Sequence, residues 1–156
     1  MHLPIKAFCL KGSTGNEKIE IIIEDIFGFP HETCYDGGYD FRGIANVHIG
    51  NFKVNDAPVF CSTGALYRLL MSLKQCYQSL EGTASLFHSL ENNLTFVLSM
   101  TKLGHAVIEG EYQEISHVNT KLVFEMETDQ TCILSTINEL QTIENLFGNE
   151  FGKRSE

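Results

Sequence analysis

Residues 5–10 are mainly apolar, and Lys11-Gly12-Ser13-Thr14-Gly15-Asn16 interrupts them with loop composition. In residues 18–24, Ile19, Ile21 and Ile23 alternate with Lys18, Glu20, Ile22 and Glu24, the period of a strand with one buried face. Gly28, Pro30 and Cys34-Tyr35-Asp36-Gly37-Gly38 break the pattern into a long loop. Alternation then returns over residues 39–49, with Tyr39, Phe41, Ala45, Val47 and Ile49 opposed to Asp40, Arg42, Asn46 and His48. Gly50-Asn51 predicts a hairpin turn into residues 52–60, where Pro58 points to an edge strand or a bulge.

The period changes after Ser62-Thr63, either of which can cap a helix start. Leu66, Leu69, Leu70, Leu73, Cys76, Tyr77 and Leu80 recur at spacings of three and four, one apolar stripe that Gly82 ends. Strand patterns resume over residues 83–88, 94–100, 104–112 and 120–127, with Asn92-Asn93 and Lys102-Leu103-Gly104 as turns and a longer connection at 115–119. Thr128-Asp129 caps a second stripe of Ile133, Leu134, Ile137, Leu140, Ile143, Leu146 and Phe147, which Gly148 stops.

The order is four strands and a helix, twice over, without a residue-level repeat between the halves. Runs of strands joined by short turns argue for antiparallel sheet. The expected fold is α+β: about eight strands in a sandwich or strongly bent sheet, with two amphipathic helices packed on it. Residues 1–156 are expected to form a single domain, structured over about 5–148, with 149–156 frayed.

Charge narrows the partners. Twenty Asp and Glu against 11 Lys and Arg leave a net charge of -9, which repels phosphate backbones and anionic headgroups. Neither nucleic acid nor membrane is therefore an expected partner. Met1-His2-Leu3-Pro4-Ile5-Lys6 lacks the basic and apolar regions of a secretory signal, and no stretch approaches the roughly 18 to 20 apolar residues of a membrane span. A cytosolic protein is expected. The cysteines, Cys9, Cys34, Cys61, Cys76 and Cys132, are odd in number and singly scattered, which fits reduced thiols packed as small apolar side chains.

Catalytic chemistry leaves little trace. There is no Gly-x-Ser-x-Gly elbow, phosphate loop, His-Glu-x-x-His or dinucleotide fingerprint. The strongest candidate cluster is His31-Glu32-Thr33-Cys34-Tyr35-Asp36, an imidazole, a thiol and two carboxylates in one loop that could serve a metal or small ligand. His31 and Cys34 have ligand-like spacing, but two ligands do not complete a tetrahedral site. Cys34 and Cys61, in a loop and at a strand end, are the cysteines open to a nucleophilic role. The overall expectation is a protein without enzymatic activity, catalytic residues or cofactor.

The more informative pattern is electrostatic. If Ala106, Ile108 and Tyr112 point inward, Glu109 and Glu111 lie on the opposite face; if Leu122, Phe124 and Met126 point inward, Glu125 and Glu127 point out. Pairing these strands would gather four carboxylates on one sheet face, with only Lys121 in partial compensation. Such a face is either a plain solvated surface or a docking site for a basic protein. Glu20, Glu24 and Asp25 form a second acidic group.

With those residues in view, the chain resembles the WapI family of bacterial immunity proteins over residues 19–147. The resemblance rests on Tyr39-Asp40-Phe41-Arg42-Gly43, on Leu80-Glu81-Gly82-Thr83-Ala84-Ser85-Leu86, on Gly104-His105-Ala106-Val107-Ile108-Glu109-Gly110, and on Leu122-Val123-Phe124-Glu125 followed by Asp129-Gln130-Thr131. It implies stoichiometric neutralisation of a cognate toxin, commonly a nuclease, encoded nearby and delivered between neighbouring bacteria by contact-dependent inhibition. It carries over no binding residues. Charge makes Glu109, Glu111, Glu125 and Glu127 the expected toxin-facing residues.

Overall fold

The computed structural model describes residues 2–153. Its elements run β1 (Ile5–Lys11), β2 (Lys18–Ile26), β3 (Asp40–Ile49), β4 (Phe52–Ser62), α1 (Thr63–Ser79), β5 (Thr83–Leu86), β6 (Leu94–Met100), β7 (His105–Tyr112), β8 (Leu122–Asp129) and α2 (Gln130–Phe147). Strands β1 to β4 form one antiparallel meander and β5 to β8 a second, each in sequence order. The predicted α+β class and the twofold order of four strands and a helix are what the chain adopts.

Alternation explains the layers. Ile19, Ile21 and Ile23 of β2, Phe41, Ala45 and Val47 of β3, and Leu98, Ile108 and Met126 of β6 to β8 are all buried. The two inner faces share one core, where Phe8 of β1 meets Phe96 of β6 edge to face at 6.3 Å. The leucine stripe of α1 and the Ile133 to Phe147 stripe of α2 close the same core. Each fully buried large side chain there contributes roughly 1.5–3 kcal/mol of burial.

The halves correspond in detail that the amino acids themselves do not repeat. Each helix is capped by the last residue before it: Ser62 Oγ accepts from the Ala65 amide at 2.9 Å, and Asp129 Oδ1 accepts from the Cys132 amide at 3.0 Å. In each, the cap stands opposite the first residue of a central strand, Asp40 across from Ser62 and His105 across from Asp129. In each, the first helical amide donates to the carbonyl just before that strand, Thr63 to Tyr39 and Gln130 to Gly104, both at 2.9 Å.

The structure departs from the expected boundaries in two places. α1 stops at Leu80, which takes a left-handed conformation (φ 59°) and donates its amide to the Cys76 carbonyl. Gly82 (φ 94°) instead turns the chain into β5, and its carbonyl accepts from Met100. Residues 149–153, expected to fray, fold back onto the first half. The Gly38 amide donates to the Glu150 carbonyl at 2.7 Å and the Lys153 amide to the Tyr39 hydroxyl at 2.9 Å. The remainder of that expectation, residues 154–156, lies outside the described residues.

Sheet edges are treated unequally. On β1 the outward Cys9 amide donates to Glu139 of α2 at 3.0 Å, and α1 lies beside β5. On β4, Pro58 has no amide to offer, its carbonyl accepts from the Tyr112 hydroxyl at 2.5 Å, and the Phe60 amide donates to Asn93 Oδ1 at 3.1 Å. Burial, reinforced by Glu114, pushes the Tyr112 hydroxyl up to about 12, so it remains a donor at neutral pH. The bulge that Pro58 hinted at is also present: β3 and β4 shift register between Ala45 and Val47, where Asp56 is left-handed and donates its amide to buried Asn46.

Candidate functional site: the outer face of the second sheet

β7 and β8 pair as neighbours, and their register places Glu109 directly opposite Glu125, Glu111 opposite Val123 and Val107 opposite Glu127. On the far side of β7, Val97 stands across from Glu109 and Thr95 across from Glu111. The strands alternate, with Ala106, Ile108 and Tyr112 and then Phe124 and Met126 turned into the core, so all four glutamates occupy the outer face. A Cβ on Gly110 would lie 2.7 Å from both the Phe124 ring and the Phe96 Cβ, so glycine leaves room for these side chains on the inner side of the strand.

Register also sets how strongly the charges meet. The Glu127 carbonyl accepts from the Ser13 amide at 2.9 Å, away from β7. Residues 125 and 123 point their backbone groups the same way, so Glu109 and Glu125 form a non-hydrogen-bonded pair, the kind that brings side chains closest. Lys121 Nζ lies 3.1 Å from Glu111 Oε2, and no salt bridge reaches Glu109, Glu125 or Glu127 among the described residues. Interleaved with the carboxylates are exposed Val97 and Val123, the latter 67% accessible. Beside them a depression of about 380 Å³ is bounded by Ser85, Phe87, Thr95, Val97, Glu109 and Glu111.

The second acidic group is a different matter. Glu20 pairs with Lys18 and accepts from Asn46, and Asp25 pairs with Arg42. Glu20 and Asp25 are thus compensated on the first sheet, while exposed Glu24 has no ion pair among the described residues.

The loop at residues 31–36 has a structural task. A Cβ on Gly64 would fall 2.3 Å from the Gly37 carbonyl, so glycines on both sides let the loop press onto the start of α1. That contact drives Asp36 into the interior. Its carboxylate accepts from Ser62 Oγ at 2.5 Å, Arg68 at 2.9 Å, and the amide and hydroxyl of Ser89. Burial alone would raise the Asp36 pKa; hydrogen bonds from Ser62, Ser89 and Arg68 outweigh it and hold the carboxyl below the ordinary range. Buried His88 completes the cluster. Its Nδ1 accepts from the Leu90 and Glu91 amides at 3.0 and 2.9 Å, which leaves the proton on Nε2, 2.8 Å from Asp40.

Serine, histidine and aspartate thus meet, but not as a nucleophile and base. Both serine hydroxyls donate to Asp36, and the histidine has no hydroxyl partner among the described residues. Exposed His31 stands apart from inward-turned Asp36, and among the described residues no three His, Cys, Asp or Glu are grouped to hold a metal. Cys34 donates its thiol to the Gly37 carbonyl, and burial with a hydrogen bond to Asp40 pushes it up to about 11. Cys61 sits at the end of β4, next to its last residue Ser62, but is buried, and burial pushes it up to about 12. Both remain thiols at neutral pH. His48, read as a polar-face residue, meets Asn55 at 2.7 Å.

The Asp36 cluster escaped the sequence reading because its members come from four separate segments. The one local signal was Arg68, the only charged residue between Thr63 and Leu73 in an otherwise apolar helix. The valines of the acidic face were equally silent, since nothing local says which exposed valine stands beside which glutamate.

Two antiparallel meanders, each followed by a helix, define an α+β protein whose second sheet carries an under-compensated acidic face. The chain belongs to the Immunity protein WapI-like family, whose model matches residues 9–148. It is therefore an immunity protein, and its partner is a cognate toxin. No curated protein and no solved structure matches the chain. Among the described residues no helix is long and apolar enough to cross a membrane.

Proposed function

We propose that the protein neutralises its toxin by stoichiometric binding, without catalysis, through the outer face of the β5 to β8 sheet. Glu109, Glu111, Glu125 and Glu127 form the acidic part of the interface, and Val97 and Val123 its apolar part. The observation that carries this reading is the direct opposition of Glu109 and Glu125. Like charges on adjacent strands disfavour folding by roughly 0.2–1 kcal/mol per opposed pair, a cost that a binding role would offset.

The partner such a face suits is basic. A nuclease toxin, with a cationic groove for nucleic acid, has the complementary potential, and an acidic inhibitor can occupy or flank that groove. In this reading the protein acts in the cytosol of the cell that makes it, beside a toxin gene, in contact-dependent competition between bacteria.

Charge reversal tests the proposal. A variant carrying Glu109→Lys, Glu111→Lys, Glu125→Lys and Glu127→Lys is compared with wild type by calorimetric titration of the cognate toxin domain over a range of salt concentrations. Affinity is expected to fall by at least about a hundredfold, and the salt dependence of wild-type binding to flatten or invert. A folded variant that binds with wild-type affinity and wild-type salt dependence would sink it. Substituting Gln at the same four positions separates lost attraction from introduced repulsion.

A further inference from the structure

The four sheet edges are not equally closed. β1 has Glu139 on its outward Cys9 amide, and β5 lies beside α1. β4 is shut by Pro58, the Tyr112 hydroxyl and Asn93. The position in β8 that corresponds to Pro58, counted back from the helix caps Ser62 and Asp129, is Glu125. There the outward amide and carbonyl are both present, and no group among the described residues bonds to those of Glu125 or Val123. Only the Glu127 carbonyl, at the end of the edge, is taken, by the Ser13 amide. β8 is therefore an outermost strand with an open stretch of backbone beside the acidic face.

We propose that this stretch, residues 122–126 of β8, receives an extended segment of the toxin as a fifth strand of the sheet. The inference rests on the acidic-face reading and specifies how the partner engages that face. Strand addition takes affinity from main-chain hydrogen bonds and specificity from alternate side chains. On the outer face the new strand would lie against Val123, Glu125 and Glu127, which calls for Lys or Arg at alternate positions. On its other face, Leu122 opens onto a cleft of about 600 Å³ with Phe52, Val54 and Ala57 on its apolar side and Asp56, Glu114 and Lys121 on its polar side, so apolar residues in between would pack against the first. A second copy of this chain is the wrong occupant. Pairing β8 with another β8 would gather Glu125 and Glu127 of both copies on one sheet face, the kind of charge by which natural edge strands avoid self-association.

An end-blocked octapeptide of alternating lysine and valine is the probe. Hydrogen exchange of the Val123 and Glu125 amides is followed by NMR on the full protein, with and without the peptide. A second peptide of the same sequence is N-methylated at alternate residues, which keeps the charge but removes strand donors.

The expected result is at least about tenfold slower exchange at both amides with the first peptide and none with the second. Val123→Pro removes an outward amide without breaking a bond to β7, so the variant should stay folded and lose the first peptide. Equal binding of both peptides without amide protection overturns strand addition and leaves charge-driven docking standing. No binding of the first peptide likewise overturns it, because the toxin titration reports on the acidic face independently.

Discussion

Asp36 is one of the residues that tie the first half of the chain to the second. Its carboxylate takes hydrogen bonds from Ser62 and Arg68 near the start of α1 and from Ser89 beyond β5. Because those bonds hold its pKa below the ordinary 3.8, Asp36 binds its proton less readily folded than unfolded. The resulting stabilisation is complete above the unfolded value near 4 and is lost as pH falls through the folded value. Asp36→Asn is expected to cost about 2–4 kcal/mol at neutral pH, since it replaces a buried, charge-assisted acceptor with a group that clashes with its donors. The difference from wild type should narrow below about pH 4. Urea unfolding at neutral pH and in that acid range measures both. A gap independent of pH would show that the charge on Asp36 is not what stabilises the fold. None of this was legible beforehand, because Ser89 is 53 positions away and only the folded chain brings it near. Asp36 read as a possible ligand because its loop neighbours include a histidine and a cysteine, and composition does not say which side chains turn inward.

At the scale of elements, legibility followed locality. Ser62 and Asp129 were readable as caps because a cap depends on residues two or three positions ahead, and the strand period survived in β2, β7 and β8 because each has one wetter face, whereas β1, buried on both, shows none. Leu80 was not readable as a helix end. Gly82 is the only glycine between α1 and β5, and the strand claims it through its bond to Met100, so the left-handed helix end falls to Leu80. The fold-back of residues 149–153 was equally hidden, since it depends on Gly38 and Tyr39 more than a hundred positions earlier. The two caps are equivalent in geometry but not in consequence. Asp129→Ala removes one accepted amide and should cost about 1 kcal/mol. Ser62→Ala removes the same bond and also the hydroxyl donated to buried Asp36, so about 2–3 kcal/mol is expected. Thermal denaturation of both variants gives the comparison. Equal losses would mean that the Ser62 to Asp36 bond adds nothing to the cap.

Across the whole molecule, the duplicated architecture sets two sheets in equivalent frames and then gives them different surfaces. The first sheet pairs Glu20 and Asp25 with Lys18, Arg42 and Asn46; the second leaves Glu109, Glu125 and Glu127 without a cation among the described residues. The net charge of -9 announced an acidic protein, but not that the excess would gather on one sheet, which depends on the register of β7 against β8. That register separates a solvated surface from a binding surface in a single variant. Glu125→Gln relieves the closest like-charge pair, so it should raise stability by roughly 0.2–1 kcal/mol at low salt, with the gain shrinking as salt screens the repulsion. If the face only keeps the protein dispersed, the variant is simply better folded and binds the toxin unchanged. If the face is the interface, the same substitution weakens toxin binding by about tenfold while unfolding moves to higher temperature. The two readings agree on stability and part on affinity, so a thermal melt paired with a toxin titration decides between them. Opposite signs in the two measurements would mark Glu109 and Glu125 as charges kept close at the expense of the fold because the partner requires them.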